Sequence, residues 1–288
     1  MLDALRDSQS ARQVLDDFAH ILGADLRSWC RPEAIFHNEV AQPLICASQL
    51  AAWSELRHAL PPPAYFAGYS VGELASYACA DALDASELAS LAQKRAKLME
   101  AALEGRYGGL LAVRGLRRDE IDPLCVGRDL WPAIIVHETS VVLGGTRQAL
   151  DELVLIMRRR HGELKFLNVG IPAHTPLLAA AAAPFRDILD RSRLREPRVP
   201  VLSGIDGSVI SDRTRAINAL SQQIFNTIDW SRCVDSLYER GCRIFFELGP
   251  GTALSRMVRE RFADAEARSL DDFRSLAAAR LWIESRVI

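Results

Sequence analysis

No stretch of this sequence approaches the ~20 consecutive apolar residues that a membrane-spanning helix needs. The N-terminus, MLDALRDSQS, has no apolar signal core. Charge of either sign is not in excess: 35 Lys and Arg stand against 37 Asp and Glu, for a formal net charge of −2. A surface that tracks phosphates needs a clear surplus of cations, so broad nucleic-acid binding is excluded. The six cysteines (Cys30, Cys46, Cys79, Cys125, Cys233 and Cys242) contain no CxxC pair and no metal-ligand spacing. These absences describe a reduced, cytoplasmic protein with no metal, no nucleic-acid partner and no membrane partner. Internal repeats and low-complexity tracts are also missing, since the Ala run at 179–183 falls inside a predicted helix. The segment ELGPGTAL has neither the length nor the lysine of a phosphate-binding loop, and shapes a strand-to-helix turn instead.

What is present suits a sizeable enzyme-like core. With 288 residues, 49% hydrophobic and 25% charged, the chain can bury a full core as one large domain or one domain with an insert. Helical periodicity predicts helices near 10–22, 41–59, 72–80, 86–104, 118–125, 146–160, 176–193, 214–225, 231–240 and 252–262. The short aliphatic runs AYFAGYS, LLAVRG, AIIVHE, SVVLGG, LKFLNVG, VPVLSGI and RIFFELG read as strands between them. Their alternation predicts an α/β fold with a mostly parallel sheet. Between about 106 and 172 the order becomes strand, helix, two adjacent strands, helix, strand, which predicts a ferredoxin-like insert. The expected division is a core of 1–105 and 173–288 carrying a small subdomain of 106–172.

The stretch Gly68-Tyr69-Ser70-Val71-Gly72 lies where a predicted strand turns into a predicted helix. A serine at such a turn is lifted clear of the sheet, and glycines beside it let the backbone pack closely. Its hydroxyl then sits at a helix N-terminus, where backbone N–H groups can stabilise an oxyanion. An ordinary turn serine gives the same five letters, so a base is needed to choose. Six histidines are available (His20, His37, His58, His137, His161 and His174). His174, in GIPAHTPLLAAAAAPF, follows a strand and precedes a helix start marked by Thr175-Pro176, on a turn that can aim a ring into a cleft. An α/β-hydrolase would place its histidine close to the C-terminus, yet none follows His174.

Five collinear segments, GYSVGELASYACADAL, KRAKLMEAA, IPAHTPLL, QQIFNTIDW and FFELGPGTALSRM, resemble the malonyl-CoA:acyl carrier protein transacylase family from about residue 10 to the end. Within it, VVLGG, HTPLLAAAAAPFR, PVLSGIDG and RSLDDFRSL, with Tyr69 where fatty-acid-synthesis members carry His, resemble the epsilon subunit of malonate decarboxylase. The resemblance implies an acyltransferase fold with a hydrolase-like core. It implies Ser70 as acyl acceptor, His174 as its base, Val71 as a backbone oxyanion donor, and Arg95 as the cation that holds the malonyl carboxylate. A guanidinium can make two hydrogen bonds to one carboxylate and stays charged, whereas an apolar acyl group would leave it unpaired. Gln223 matches the residue whose backbone carbonyl orients the histidine, although adjacent Gln222 leaves the register open. Such an acceptor fixes the ring tautomer without a buried aspartate. Glu73 is expected to complement the helix dipole rather than perform chemistry.

The family also begins with a strand and a GQGxQ loop that supplies a second oxyanion donor, and the resemblance starts beyond that point here. The expectation is that Met1 is a start assigned too late, with a truncated or structural subunit as the alternative. Family members usually carry an asparagine near residues 137–138, where this chain has His137 and Glu138. The implied reaction is transfer of a malonyl group from its coenzyme A thioester through a malonyl-serine ester to a carrier protein. No cofactor is permanently bound; the pantetheine-type prosthetic group belongs to the partner, an acyl carrier protein or the acyl carrier subunit of malonate decarboxylase. A fatty-acid or polyketide carrier is the alternative acceptor, and a plain serine hydrolase would have no use for Arg95.

Overall fold

Residues 5, 8–58, 60–157 and 162–286 are described in a computed structural model. The chain opens with α1 (Gln9–Leu22), a short turn α2 (Leu26–Trp29) and α3 (Asn38–Leu56). Ser8 caps α1 by accepting the Ala11 N–H, and Gly23 closes it in the left-handed conformation. The predicted helix at 41–59 begins three residues earlier, and residue 59 lies outside the described residues. The elbow follows as β1 (Phe66–Ala67), Ser70 and α4 (Val71–Cys79), then α5 (Ala85–Ala101), capped by the Asp84 carboxylate on the Glu87 N–H. Every residue of α4 is buried, and α3, α4 and α5 share one apolar core through Leu44, Leu50, Leu74, Leu88 and Leu91.

The chain continues with β2 (Gly108–Arg114), α6 (Arg118–Cys125), β3 (Leu130–His137), β4 (Ser140–Thr146), α7 (Arg147–Met157) and β5 (Glu163–Phe166). These strands pair in the order β5-β2-β4-β3, antiparallel throughout, and period-two alternation gives the sheet two apolar faces. Leu111, Val113, Val141 and Leu143 join Leu150 and Leu153 of α7. Leu110 and Val142 face the other way and pack with Leu202, Ile228 and Trp230 of the remaining chain.

The chain then forms a 3-10 turn at Pro176–Leu178, α8 (Ala179–Arg191), β6 (Val201–Leu202), β7 (Val209–Ile210), α9 (Arg213–Gln222) and β8 (Ile228–Asp229). It ends with α10 (Trp230–Glu239), β9 (Ile244–Glu247), α11 (Ala253–Arg261), β10 (Glu266–Ser269) and α12 (Leu276–Glu284). β8 runs parallel to β3 and so makes that sheet five-stranded, β5-β2-β4-β3-β8. The core strands form two ladders, β1-β6-β7 and β9-β10, with β1–β6 and β9–β10 parallel. A groove of about 450 Å³ separates them, bordered by Tyr65–Tyr69 on one side and Ile244–Gly249 on the other. No helix among the described residues is long and apolar enough to cross a membrane.

Candidate active site

Ser70 stands before the first turn of α4 at φ 55° and ψ −119°, a conformation that L-residues adopt at a cost of a few kcal/mol. The surroundings hold it there. A Cβ on Gly68 would lie 2.1 Å from the backbone of Gly72 and Glu73, so only glycine permits the strand to fold back this closely onto the helix start. Gly72 is less constrained, its Cβ position meeting only the Gln49 side chain at 3.6 Å. The Ser70 hydroxyl makes no capping bond and lies 2.8 Å from Nε2 of His174. Val71 is the first residue of α4, so its N–H belongs to the turn that has no intrahelical acceptors.

His174 is 1% exposed and also has a positive φ, 62°. The turn after α9 fixes it at two points: its backbone N–H donates to Ile224 O at 2.9 Å, and Nδ1 donates to Gln223 O at 2.6 Å. A carbonyl can only accept, so the proton of the neutral ring sits on Nδ1 and Nε2 is free to take the serine proton. Burial, and then the nearby Arg95 charge, push the imidazole from 6.5 down to about 3, against the Gln223 carbonyl, which raises it. The ring is therefore neutral at physiological pH. Gln222 makes local bonds instead, accepting from Asn226 Nδ2 at its backbone and side-chain oxygens.

Arg95, on α5, is 1% exposed. Nη1 donates to Gln42 Oε1 at 2.6 Å and Nη2 to Gln223 Oε1 at 2.9 Å. Both acceptors are neutral, and among the described residues no carboxylate pairs with the guanidinium. Burial pushes Arg95 down to about 10, which leaves it charged at pH 7. Gln42 is itself oriented, its Nε2 donating to Asn38 Oδ1 at 2.6 Å.

Glu73 lies in the first turn of α4, where a carboxylate complements the helix dipole. It is fully buried, and Oε2 accepts from Gln223 Nε2 at 2.6 Å and from Gly204 N–H at 2.9 Å. It thus faces the site rather than solvent. Sequence reasoning assigned Gln42 no role, although one amide inside the apolar run VAQPLICA was a signal that something polar had to meet it. His137 and Glu138 are exposed at the β3–β4 turn. His161 lies outside the described residues. Among the described residues no cluster of His, Cys, Asp or Glu could hold a metal.

An elbow serine, a neutral histidine tied to a carbonyl and a helix N-terminus beside them have the geometry that a nucleophile and its base require. The sequence profile of acyl transferase domains matches residues 6–277. The chain belongs to the acyl transferase family. Similar proteins within it include the malonyl CoA-acyl carrier protein transacylase of Haemophilus influenzae, 26% identical over 244 residues, or 82% of this chain and 78% of that one. The Staphylococcus aureus protein of the same name is 23% identical over 278 residues, covering 93% and 89%. The fold is that of the Coxiella burnetii transacylase structure, with TM-score 0.91, 24% identity, and 99% and 92% of the two chains covered. A malonyl-transacylase bound to a type II polyketide acyl carrier protein matches with TM-score 0.91, 24% identity, and 98% and 94% covered.

Proposed function

We propose that this acyltransferase is a malonyl-CoA:acyl carrier protein S-malonyltransferase that works through a malonyl ester on Ser70. The observation that carries this is the buried Arg95 guanidinium, held by two amide oxygens with no carboxylate of its own and close enough to lower the pKa of His174. A buried cation left without a counter-charge is costly unless a ligand supplies one. A malonyl carboxylate does so, and an acetyl group does not.

With the carboxylate on Arg95, His174 Nε2 takes the Ser70 proton as Oγ attacks the thioester carbonyl. The developing oxyanion faces the Val71 N–H. The carbon–sulfur bond breaks, and the coenzyme A sulfur leaves with the proton held by His174. In the second half the thiol of a pantetheine-type arm passes its proton to His174 and attacks the ester, and the proton returns to Ser70 Oγ. Metal and redox chemistry have no part in this sequence of steps.

The proposed acceptor is the acyl carrier subunit of malonate decarboxylase, on the strength of the epsilon-subunit resemblance. One of its segments, RSLDDFRSL, closes over the loop after β9: Asp271 accepts the Gly251 N–H at 2.6 Å and Ser269 Oγ donates to Gly251 O at 2.5 Å. A fatty-acid or polyketide carrier is the second reading, since the similar proteins act on an acyl carrier protein. The division into a core of 1–105 and 173–288 and a small subdomain of 106–172 belongs to this proposal. Radiolabelled malonyl-CoA offered with each carrier tests it. Label should appear on Ser70 and pass to the decarboxylase carrier subunit; label that never leaves coenzyme A, or leaves only as free malonate, contradicts it.

A further inference from the structure

Glu73 lies three residues after the nucleophile and is 0% exposed; its backbone N–H donates to Ser70 O at 3.0 Å, while its side chain bonds neither Ser70 nor Arg95. Its contacts are specific. Oε2 takes both the Gln223 amide and the Gly204 N–H, while Oε1 has no partner. The approach of Gly204 is close, since a Cβ there would sit 2.9 Å from Oε2.

The hydrogen-bonding inventory then fixes Gln223. An arginine only donates, Glu73 Oε2 is already an acceptor for the Gly204 N–H although burial raises this acid from 4.5 to about 7, and a primary amide has one end of each kind. With Arg95 on one side and Glu73 on the other, a single orientation satisfies both, namely the nitrogen toward Glu73 and the oxygen toward Arg95. The flipped amide would set two donors against each other and two acceptors against each other. At the far side of Arg95, Gln42 is oriented the same way by Asn38. The backbone carbonyl of the same Gln223 also holds His174.

A direct Arg95–Glu73 ion pair would neutralise the guanidinium and make an incoming carboxylate compete with a protein one. Interposing Gln223 keeps the opposite charge one residue away. There Glu73, raised by burial from 4.5 to about 7, carries only a partial charge near neutrality and occupies none of the Arg95 N–H groups. We propose that Glu73 is a positioning residue for acyl-group selection: it locks the Gln223 amide so that Arg95 meets the acyl carboxylate oriented and without a counter-charge. This rests on Arg95 being the carboxylate seat.

The test uses the whole chain and compares wild type, Glu73→Gln, and the swap Glu73→Gln with Gln223→Glu. The swap restores one carboxylate and one amide but places the carboxylate against Arg95. Ser70 acylation by malonyl-CoA and by acetyl-CoA is measured as separate kcat and KM values. Thermal midpoints and the rate of Ser70 labelling by a fluorophosphonate, which needs no carboxylate seat, are recorded alongside. Glu73→Gln should raise KM for malonyl-CoA roughly tenfold or more, the effect of a weakened charge-assisted contact, with acetyl transfer and labelling within about threefold. The swap should recover the thermal midpoint while losing malonyl preference further. Equal losses for both acyl groups, an altered midpoint alone, or wild-type preference in the swap would each overturn the proposal with the Arg95 reading intact. A wild-type protein that does not prefer malonyl-CoA removes the seat and the proposal together.

Discussion

The two sides of Ser70 are built differently. On the base side, Asn38, Gln42, Arg95, Gln223, Glu73 and Gly204 form one continuous line of hydrogen bonds, with His174 tied into it through Gln223. On the other side, Gly68, Tyr69 and Gly72 border the groove between β1 and β9, where Gln49 Oε1 and Trp230 Nε1 are buried without partners. Helix α3 serves both sides: its Gln42 grips Arg95, and its Gln49 reaches the groove and donates to Gly249 O at 2.8 Å. The contrast teaches that the proposed charge-selection and proton-transfer residues are held by a continuous polar line, in which only Glu73 Oε1 lacks a partner among the described residues, and low dielectric strengthens such contacts. The groove side contributes shape and apolar surface.

Removing the base should break the comparison most severely. His174→Ala is expected to slow Ser70 acylation by ~10²–10⁴-fold in a quench-flow assay, the usual value of a general base. Next comes the elbow backbone. Gly68→Ala forces a methyl group onto the Gly72–Glu73 peptide, and should lower stability by about 3 kcal/mol or more in urea titration. The two glutamines of α3 then sharpen the contrast. Gln42→Met removes an acceptor from a buried cation and should cost malonyl transfer roughly tenfold. Gln49→Met should change rate by less than about threefold and stability by less than about 1 kcal/mol, because its lost hydrogen bond is offset by relief of an orphaned oxygen.

The smallest expected effect is on the pH profile. An exposed histidine base would lose acylation as pH falls through 6.5, whereas His174 stays neutral down to about 3, so His174 should give no limb near 6.5, and a limb near 7 would belong to Glu73, which burial raises from 4.5 to about 7. The linkage sign follows. A histidine depressed in the folded state leaves the unfolded state binding more protons between 3 and 6.5, so its contribution to stability is full above 6.5 and declines as pH falls. Stopped-flow rates in fluoride-free buffers across that range provide the check.

Much of this site was legible before the structure. Ser70 could be found because its elbow is local: a strand, two glycines and a helix start in one stretch. His174 was marked by its place between a strand and Thr175-Pro176. Arg95 carries no local signal, being one charged residue on a helix, and became visible through resemblance alone. The Gln222/Gln223 ambiguity was settled by the helix end, since Gln223 is the residue after α9 and its carbonyl faces His174. The partners of the Glu73 side chain, Gly204 and Gln223, were not legible because they are more than 100 residues away. Strands β7, β8 and β10 were missed because they are short. Each is two or four residues long, and EARS in β10 has no apolar alternation; pairing with β9 makes it a strand. The helix α12 had a readable signal in Ser275, which caps it through the Ala278 N–H.

The central claim is that Arg95 reads the acyl carboxylate for a covalent step at Ser70. Its most direct test is intact-mass analysis after brief exposure to an equimolar mixture of malonyl-CoA and acetyl-CoA. Wild-type protein should carry the malonyl adduct predominantly, Ser70→Ala should carry neither, and Arg95→Ala should lose the malonyl adduct while the acetyl share rises, since the unpaired cation is gone. An Arg95→Ala protein in which both adducts decline in proportion, or a Ser70→Ala protein that still becomes acylated, would contradict the account.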